Sequence, residues 1–394
     1  MFIVIGGGLF QTYAIKKAKS LGLKVVCVDM NPNAQGAKEA DEFINISTKD
    51  HQSICDEIRK RNFLVDGVIT VGTDMSESVY YISKEFWLDP GFKDYKKVVN
   101  KIEMRKALQE KNVPQPKFTF STDCRELIEN RKKAGLSFPL VIKPAQSMGA
   151  RGVKKVLDDK QIETQFYICK EHSFDKRVIL EEYMSGPEVS VESLIVNGKY
   201  CPMVIGDRHI EKEPFFIETG HSCPSRLSKK DINEINRIME LAANALQIHN
   251  APAKGDIKIT KKGVMVGEIA ARLSGGFMSS HTLPLSTGID AIKLAIEQRL
   301  GLIVDVKPTI DKYPVCIERA IYSEEDFVIK KIKGVKEAQE IEGVKFLHFN
   351  LKEGDQVSPL TSNIGKIANV IIAADSFEKA EKTFEKVKSE LCII

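Results

Sequence analysis

The sequence predicts a mixed fold: an α/β start with a parallel sheet, an antiparallel α+β middle and a small α+β end. Three observations carry this expectation. Residues 1 to about 95 alternate short apolar strands with helical patterns, which implies a parallel sheet with helices on both faces. From about 118, strand patterns follow one another with little helix between them, as antiparallel pairing allows. At 394 residues the chain exceeds one ordinary core, so two or three domains are expected.

The elements follow in order. Phe2–Ile5 is a strand that meets Gly6, Gly7 and Gly8; Ala14, Ile15, Ala18 and Leu21 then recur at helical spacing, and Gly22 can close that helix. Val25–Val28 is a second strand, ending at Asp29. "FINIST" gives a third strand, "HQSICDEIRKR" a helix and "VDGVITVGTD" a fourth strand. "KIEMRKALQEKNVPQPKF" is a helix stopped by Pro114 and Pro116. "PLVIKP", "VILEEY" and "VSVESLIV" read as strands. Ile232, Ile235, Met239, Ala242 and Leu246 mark one stripe of an amphipathic helix. "GDIKITKKGVMVGEIAAR" is two strands joined by a Lys-Lys-Gly turn, and Asp290 caps the helix "AIKLAIEQRLG". The end of the chain holds strands and a last helix, "SFEKAEKTFEKVKSEL".

A hydrophobic content of 43% and a charged content of 28% fit a globular protein. The net charge of +4 is slight, and no basic run with interleaved aromatics suggests nucleic acid. The eight cysteines form no CxxC pair, so neither a zinc knuckle nor a redox dithiol is indicated. The chain opens on a core-type strand without a leader pattern, and no apolar run approaches the ~18 residues that span a bilayer. A cytoplasmic location with no membrane contact is expected. An apolar surface on the first domain is compatible with a homodimer.

The glycine turn suits an anion at a helix N-terminus. A dinucleotide fingerprint wants GxGxxG and an acid about 20 residues on. Asp29 supplies the acid, but Gln11 stands where the third glycine belongs. Three readings compete: a dinucleotide site, a structural turn, and an anion site for a substrate carboxylate or phosphate. The last is preferred, with Gly7, Gly8 and Gln11 facing a substrate.

Three features of the middle segment belong together. "FPLVIKPAQSMGARGV" places Lys143 on a strand before a flexible loop with Ser147, Gly149 and Gly152, a way to hold polyphosphate. "VILEEYMSGPE" ends a strand in two acids, then Tyr183, Met184, a Gly-Pro turn and Glu188. An apolar slot with a backbone edge suits adenine, and one carboxylate suits a ribose diol. Asp256 and Glu268 lie on adjacent strands with Arg272 just beyond, and two hard oxygen ligands beside phosphates are how Mg²⁺ is usually held.

In that order these features resemble the ATP-grasp superfamily, over roughly residues 1 to 305. "VILEEYMSGPE" is similar to the hinge of D-alanine:D-alanine ligases, and "GEIAARLSGG" to the family's metal strand. "VVCVDMNPNAQGAKEADEFINIS" looks like the start of the purine-pathway and biotin-carboxylase branches. The resemblance implies a Rossmann-like domain at 1–95 and an ATP-grasp unit at 96–306. That unit has a lid at about 115–180 and a core at about 181–306, and a small C-terminal domain at 307–394 follows. It implies that Lys101 and Lys143 contact ATP phosphates beneath the loop Ser147–Gly152. Glu181 and the backbone of Glu182, Tyr183 and Met184 would read adenine, and Glu188 the ribose. Asp256 and Glu268 would hold Mg²⁺ or Mn²⁺. Arg272 would stabilise the transferring phosphoryl group, and Ser274, Gly275 and Gly276 would admit the substrate. One position departs: Ala270 stands where the family usually has a ligating Asn.

The implied reaction is ATP-dependent joining of a small carboxylate to an amine through an acyl phosphate. "GDRHIEKEPFFIETGHSCPSRLS" resembles the substrate segment of the L-amino-acid ligase branch, so Glu218 and His221, with His281 further on, are candidate amino-acid contacts. The competing readings are a bicarbonate-using or carbamoyl-phosphate-like enzyme, a nicotinamide oxidoreductase, and an ATP-binding module of low turnover.

Overall fold

The computed structural model describes residues 1–308 and 314–394. Its first sheet is parallel, with strands in the order Glu42–Ile44, Val25–Val28, Phe2–Ile5, Gly67–Ile69. The two middle strands are buried at every position. Alternate side chains explain why. Ile3, Ile5, Val26 and Val28 pack on Ile54, Ile58, Val79 and Ile82 from two helices. Phe2, Val4, Val25 and Cys27 share the other cluster with Ala14 and Ile15, and with Ile292, Ala295 and Ile296. The last three belong to the helix Ala291–Arg299, so a late helix ties this sheet to the rest of the chain. Asp290 caps that helix by accepting from the Lys293 amide at 2.9 Å.

The lid is an antiparallel sheet in the order Phe118–Ser121, Val178–Glu182, Leu140–Pro144, Lys154–Val156. Two helices, Cys124–Lys133 and Asp159–His172, interrupt its strands, where the sequence suggested little helix. The first buries only Cys124 and Leu127, too thin a stripe among charges to read as a period. The second buries Ile162, Phe166 and Cys169, a helical spacing that was legible.

The core is an eight-stranded antiparallel sheet. Its order is Gly263–Ala270, Ala251–Thr260, Glu188–Val196, Lys199–Glu211, Ile217–Cys223, Val315–Ile321, Ala368–Ala374, Val344–Phe349. The last three strands come from the end of the chain, joined through the pairing of Gly220 with Arg319 and Cys223 with Cys316. The closing unit therefore shares its sheet with the core rather than standing beside it. The helix Lys229–Ala245 presses Ile235, Ile238, Met239 and Ala242 onto Ala253, Ile257, Val266 and Ile269.

The parallel sheet reaches the core strands just after its last strand. Val71 bridges Leu273 in parallel, and the Gly72 amide donates to the Leu273 carbonyl at 3.1 Å. Gly72 has φ +68°, and a Cβ there would lie 3.0 Å from Gly275 Cα. Both conformation and contact require glycine. Gly72→Ala is expected to lower unfolding free energy by about 1–3 kcal/mol, measured by chemical denaturation; an unchanged midpoint would contradict the packing described.

Candidate active site

Lid, core and parallel sheet enclose a cleft of about 350 Å³, the size of a small-molecule site. Its lid wall starts at Lys143. This lysine points inward from its strand, and its Nζ lies 2.6 Å from Glu181 Oε2 on the neighbouring strand. Burial pulls the Lys143 pKa down, while Glu181 opposes that pull.

Glu181 also accepts from Arg105, at 2.8 Å from Nε and 3.1 Å from Nη2. Burial alone would raise the Glu181 carboxyl, but Arg105 and Lys143 override it and hold the pKa at about 2. Arg105 has no exposed surface, and its remaining donors reach the carbonyls of Val266 at 3.0 Å and Gly267 at 2.6 Å. Those carbonyls lie at a bulge. Asp256 pairs with Glu268 and Ile257 with Val266, which leaves Gly267 unpaired. A Cβ on Gly267 would sit 2.8 Å from the Asp256 carbonyl.

Asp256 and Glu268 are thus direct cross-strand neighbours on the cleft wall. Lys101 Nζ lies 3.3 Å from Glu268 Oε1 and donates to the Ser147 carbonyl at 3.1 Å, linking the acid to the loop. Asp256 is ion-paired with Lys254 and with Arg208, whose Nη1 lies 2.8 Å from its buried Oδ1. Burial raises and the two cations lower its pKa, and the net shift is downward. Two carboxylates facing each other across adjacent strands fit a hard divalent cation that takes its other ligands from phosphates and water. Ala270 lines the same wall and contributes no oxygen.

Arg208 is the hub of the opposite side. Its guanidinium reaches Glu188 at 2.6 Å, Glu218 at 2.7 Å and Asp256 at 2.8 Å. Burial opposes its charge, but the three carboxylates raise its pKa well above the ordinary value. Burial likewise works against Glu218, and Arg208, then His221, bring that carboxyl down to about 2.

Arg272 is braced by the parallel sheet: its Nε donates to Asp74 Oδ1 at 2.7 Å. Beyond it, the Ser274 amide is shared by both oxygens of Glu192, at 3.2 and 3.1 Å, and the buried Ser274 hydroxyl has no partner. Glu192 is fully buried, and desolvation pushes its pKa up to about 7.

The cleft therefore gathers Lys101, Lys143, Ser147, Gly149, Glu181, Glu182, Tyr183, Met184, Glu188, Glu218, Asp256, Glu268, Arg272, Ser274, Gly275 and Gly276. Six expected residues do not line it. The carbonyl of Gly152 is tied to Gln165 Nε2 at 3.1 Å, which anchors the loop from behind. His221 lies behind Glu218, bonded through Nε2 to Thr282 Oγ1 at 2.7 Å. His281 stands edge-on to Tyr13 with ring centroids 4.9 Å apart, and burial takes its pKa down to about 4.

The glycine turn requires a correction as well. Gln11 is buried, bonds the Val71 carbonyl and covers Gly6 and Gly8. The Gly7 amide is spent on Asp29 Oδ2 at 2.8 Å. Gly7, Gly8 and Gln11 close the turn on itself, and this sheet gives the cleft Gly72 and Asp74 instead. Asp74, Arg105 and Glu192 were missed in the sequence. Each left a signal: an acid at a strand end, an arginine on a buried helical stripe, and an acid inside "VSVESLIV".

Comparisons with known proteins agree with this architecture. Family models match residues 136–281 (ATP-grasp domain), 319–394 (L-amino acid ligase C-terminal domain 2) and 1–79 (alanine dehydrogenase/PNT, C-terminal domain). The L-amino acid ligase structure from Bacillus licheniformis superposes with a TM-score of 0.84 at 22% identity, covering 100% of this chain and 98% of that one. A formate-dependent phosphoribosylglycinamide formyltransferase of Prochlorococcus marinus is 24% identical over 98% of both chains. A carbamoyl phosphate synthase large chain of Caldanaerobacter subterraneus is 26% identical over 76% of this chain, which spans 28% of its length. Residues 136–281 thus match an ATP-grasp domain, and the chain as a whole shares its fold with the L-amino acid ligase structure. Among the described residues no helix is long and apolar enough to cross a membrane.

Glu192 gives a pH test. Its folded pKa, about 7, lies above the ordinary ~4.3 of glutamate. Between these values the folded state keeps a proton that the unfolded state has lost, so stability falls as pH rises through the window, by at most ~1.4 kcal/mol per unit. Glu192→Gln is expected to flatten denaturation midpoints between pH 5 and 7; an unchanged slope would rule Glu192 out as its source.

Proposed function

We propose that the protein joins a small carboxylate to an amine at the expense of ATP, with an amino acid as a substrate, releasing ADP and phosphate. The observation that carries this reading is the single cleft in which Lys101, Lys143, the acid pair and Arg272 converge beside the hinge.

The roles follow from chemistry. Lys143 and Lys101 neutralise phosphate oxygens, and the loop amides of Ser147 to Gly149 fold over them. The backbone at Glu182 to Met184 borders adenine, while the Glu181 side chain holds Lys143 in place. Glu188 accepts from ribose hydroxyls. Asp256 and Glu268 would hold Mg²⁺ or Mn²⁺, which when bound would offset phosphate charge. Arg272, kept charged and aimed by Asp74, faces the oxygens that gain charge when a substrate carboxylate oxygen bonds to the γ-phosphorus and ADP departs. The neutral amine then bonds to the acyl carbon and gives up a proton to solvent or to the departing phosphate, which leaves with one former carboxylate oxygen.

Positioning and charge neutralisation suffice for both steps, so no nucleophilic side chain is needed. Glu218 is set to receive a substrate ammonium, and His221 acts through it, its Nδ1 3.9 Å from Glu218 Oε1. Full-length similarity to a formate-dependent enzyme leaves the size of the carboxylate to experiment.

A phosphate-release screen with ATP and Mg²⁺ over amino acids, singly and in pairs, with formate and bicarbonate alongside, is expected to respond to an amino acid. Release driven by bicarbonate alone would favour carboxylation, and no response to any carboxylate would favour a binding module. Glu268→Gln is expected to cut the rate at least about 100-fold and raise the Mg²⁺ needed for half-activation. A normal Mg²⁺ titration would remove Glu268 from the metal site.

A further inference from the structure

The cleft also has a wall from the end of the chain. Asn363, between the strands Val344–Phe349 and Ala368–Ala374, lines it beside Glu218, Arg208 and Met278. Its Oδ1 accepts from the Glu218 amide at 2.9 Å. A backbone N–H can only donate, so this bond fixes which end of the side-chain amide faces Glu218. The Nδ2 group is left over. Its two hydrogens have no partner among the described residues, and the residue is half-buried rather than sealed away. Lys366, three residues on, adds positive charge felt by Glu218.

The surrounding wall sharpens what this donor is for. Glu218 is fastened by Arg208 at its carboxylate and by Asn363 at its amide. Its position along the strand is therefore set from two sides. A substrate ammonium resting on Glu218 has its own carboxylate or carbonyl a few ångströms away, and a neutral amide donor beside Glu218 matches that pattern. An acid at position 363 would not: it would present a second negative charge to the substrate's oxygens.

We infer that Asn363 is a specificity-determining residue. Its Nδ2 donates to a carboxylate or carbonyl oxygen of an amino-acid substrate whose ammonium rests on Glu218. The C-terminal strands would then complete the substrate pocket, not merely extend the sheet. This rests on the ligase reading above and names the substrate class more narrowly, as one carrying an acceptor oxygen close to its ammonium.

Two substitutions separate the donor from the prop. Asn363→Asp keeps an oxygen for the Glu218 amide but replaces the donor with an acceptor. Asn363→Ala removes both. Steady-state phosphate release with the amino acid found active for the wild-type chain is expected to show KM for that amino acid raised about tenfold or more in Asn363→Asp. KM for ATP should stay within about twofold, and the thermal midpoint should be unchanged. Asn363→Ala should show a comparable rise. Normal amino-acid KM in Asn363→Asp overturns the inference while leaving the ligase reading intact; if Asn363→Ala is impaired in that case, the residue only props Glu218. Equal rises in both KM values overturn it too. No amino-acid-dependent release by the wild-type chain overturns the ligase reading and this inference together.

Discussion

The buried ion cluster of Arg105, Glu181 and Lys143 is the constraint on which the site depends. Glu181 ends a lid strand, Lys143 lies on the neighbouring one, and Arg105 comes from the helix Lys101–Glu110. Through Val266 and Gly267 the same arginine grips the core strand that carries Glu268. One guanidinium thus fixes three things relative to each other: Lys143, the segment that follows Glu181 and the strand that carries Glu268. Each charge is compensated, as such deep burial demands. Removing one partner would leave another buried and unpaired, at a cost of about 3–5 kcal/mol.

Around that cluster the cleft distributes its charges by region. Lys101 links the loop at Ser147 to the paired carboxylates through Glu268. Arg208 then joins Glu188, Asp256 and Glu218 in one network. These groups satisfy each other. Ligands that bring their own charges would have to replace those contacts one for one. Arg272 differs, because its partner, Asp74, comes from the parallel sheet. The orientation of Arg272 therefore depends on the Gly72–Gly275 junction between sheet and core.

Local patterns made much of this legible. Alternating strands and helices announced the parallel sheet, and the lysine–glycine loop, "VILEEYMSGPE" and the Asp256/Glu268 pair announced the cleft. What failed was whatever depended on partners distant in the chain. Gln11 looked available as a substrate contact because nothing nearby shows that Val71 takes its amide. His281 looked like a ligand because Tyr13 and Phe346, which enclose it, come from opposite ends of the chain. Asn363 gave no signal at all, since its role rests on a contact 145 residues away. The closing strands read as a separate unit because sheet continuity is a matter of pairing, which periodicity does not encode.

The central claim is chemical: the carboxylate is activated by phosphorylation, so one of its oxygens must leave with phosphate. The direct measurement is isotope transfer. A substrate labelled with ¹⁸O in its carboxylate is turned over with unlabelled ATP and Mg²⁺, and the released phosphate is analysed by mass spectrometry. The account requires one ¹⁸O in each phosphate from a fully labelled carboxylate. Phosphate carrying no label, released alongside product, would contradict it.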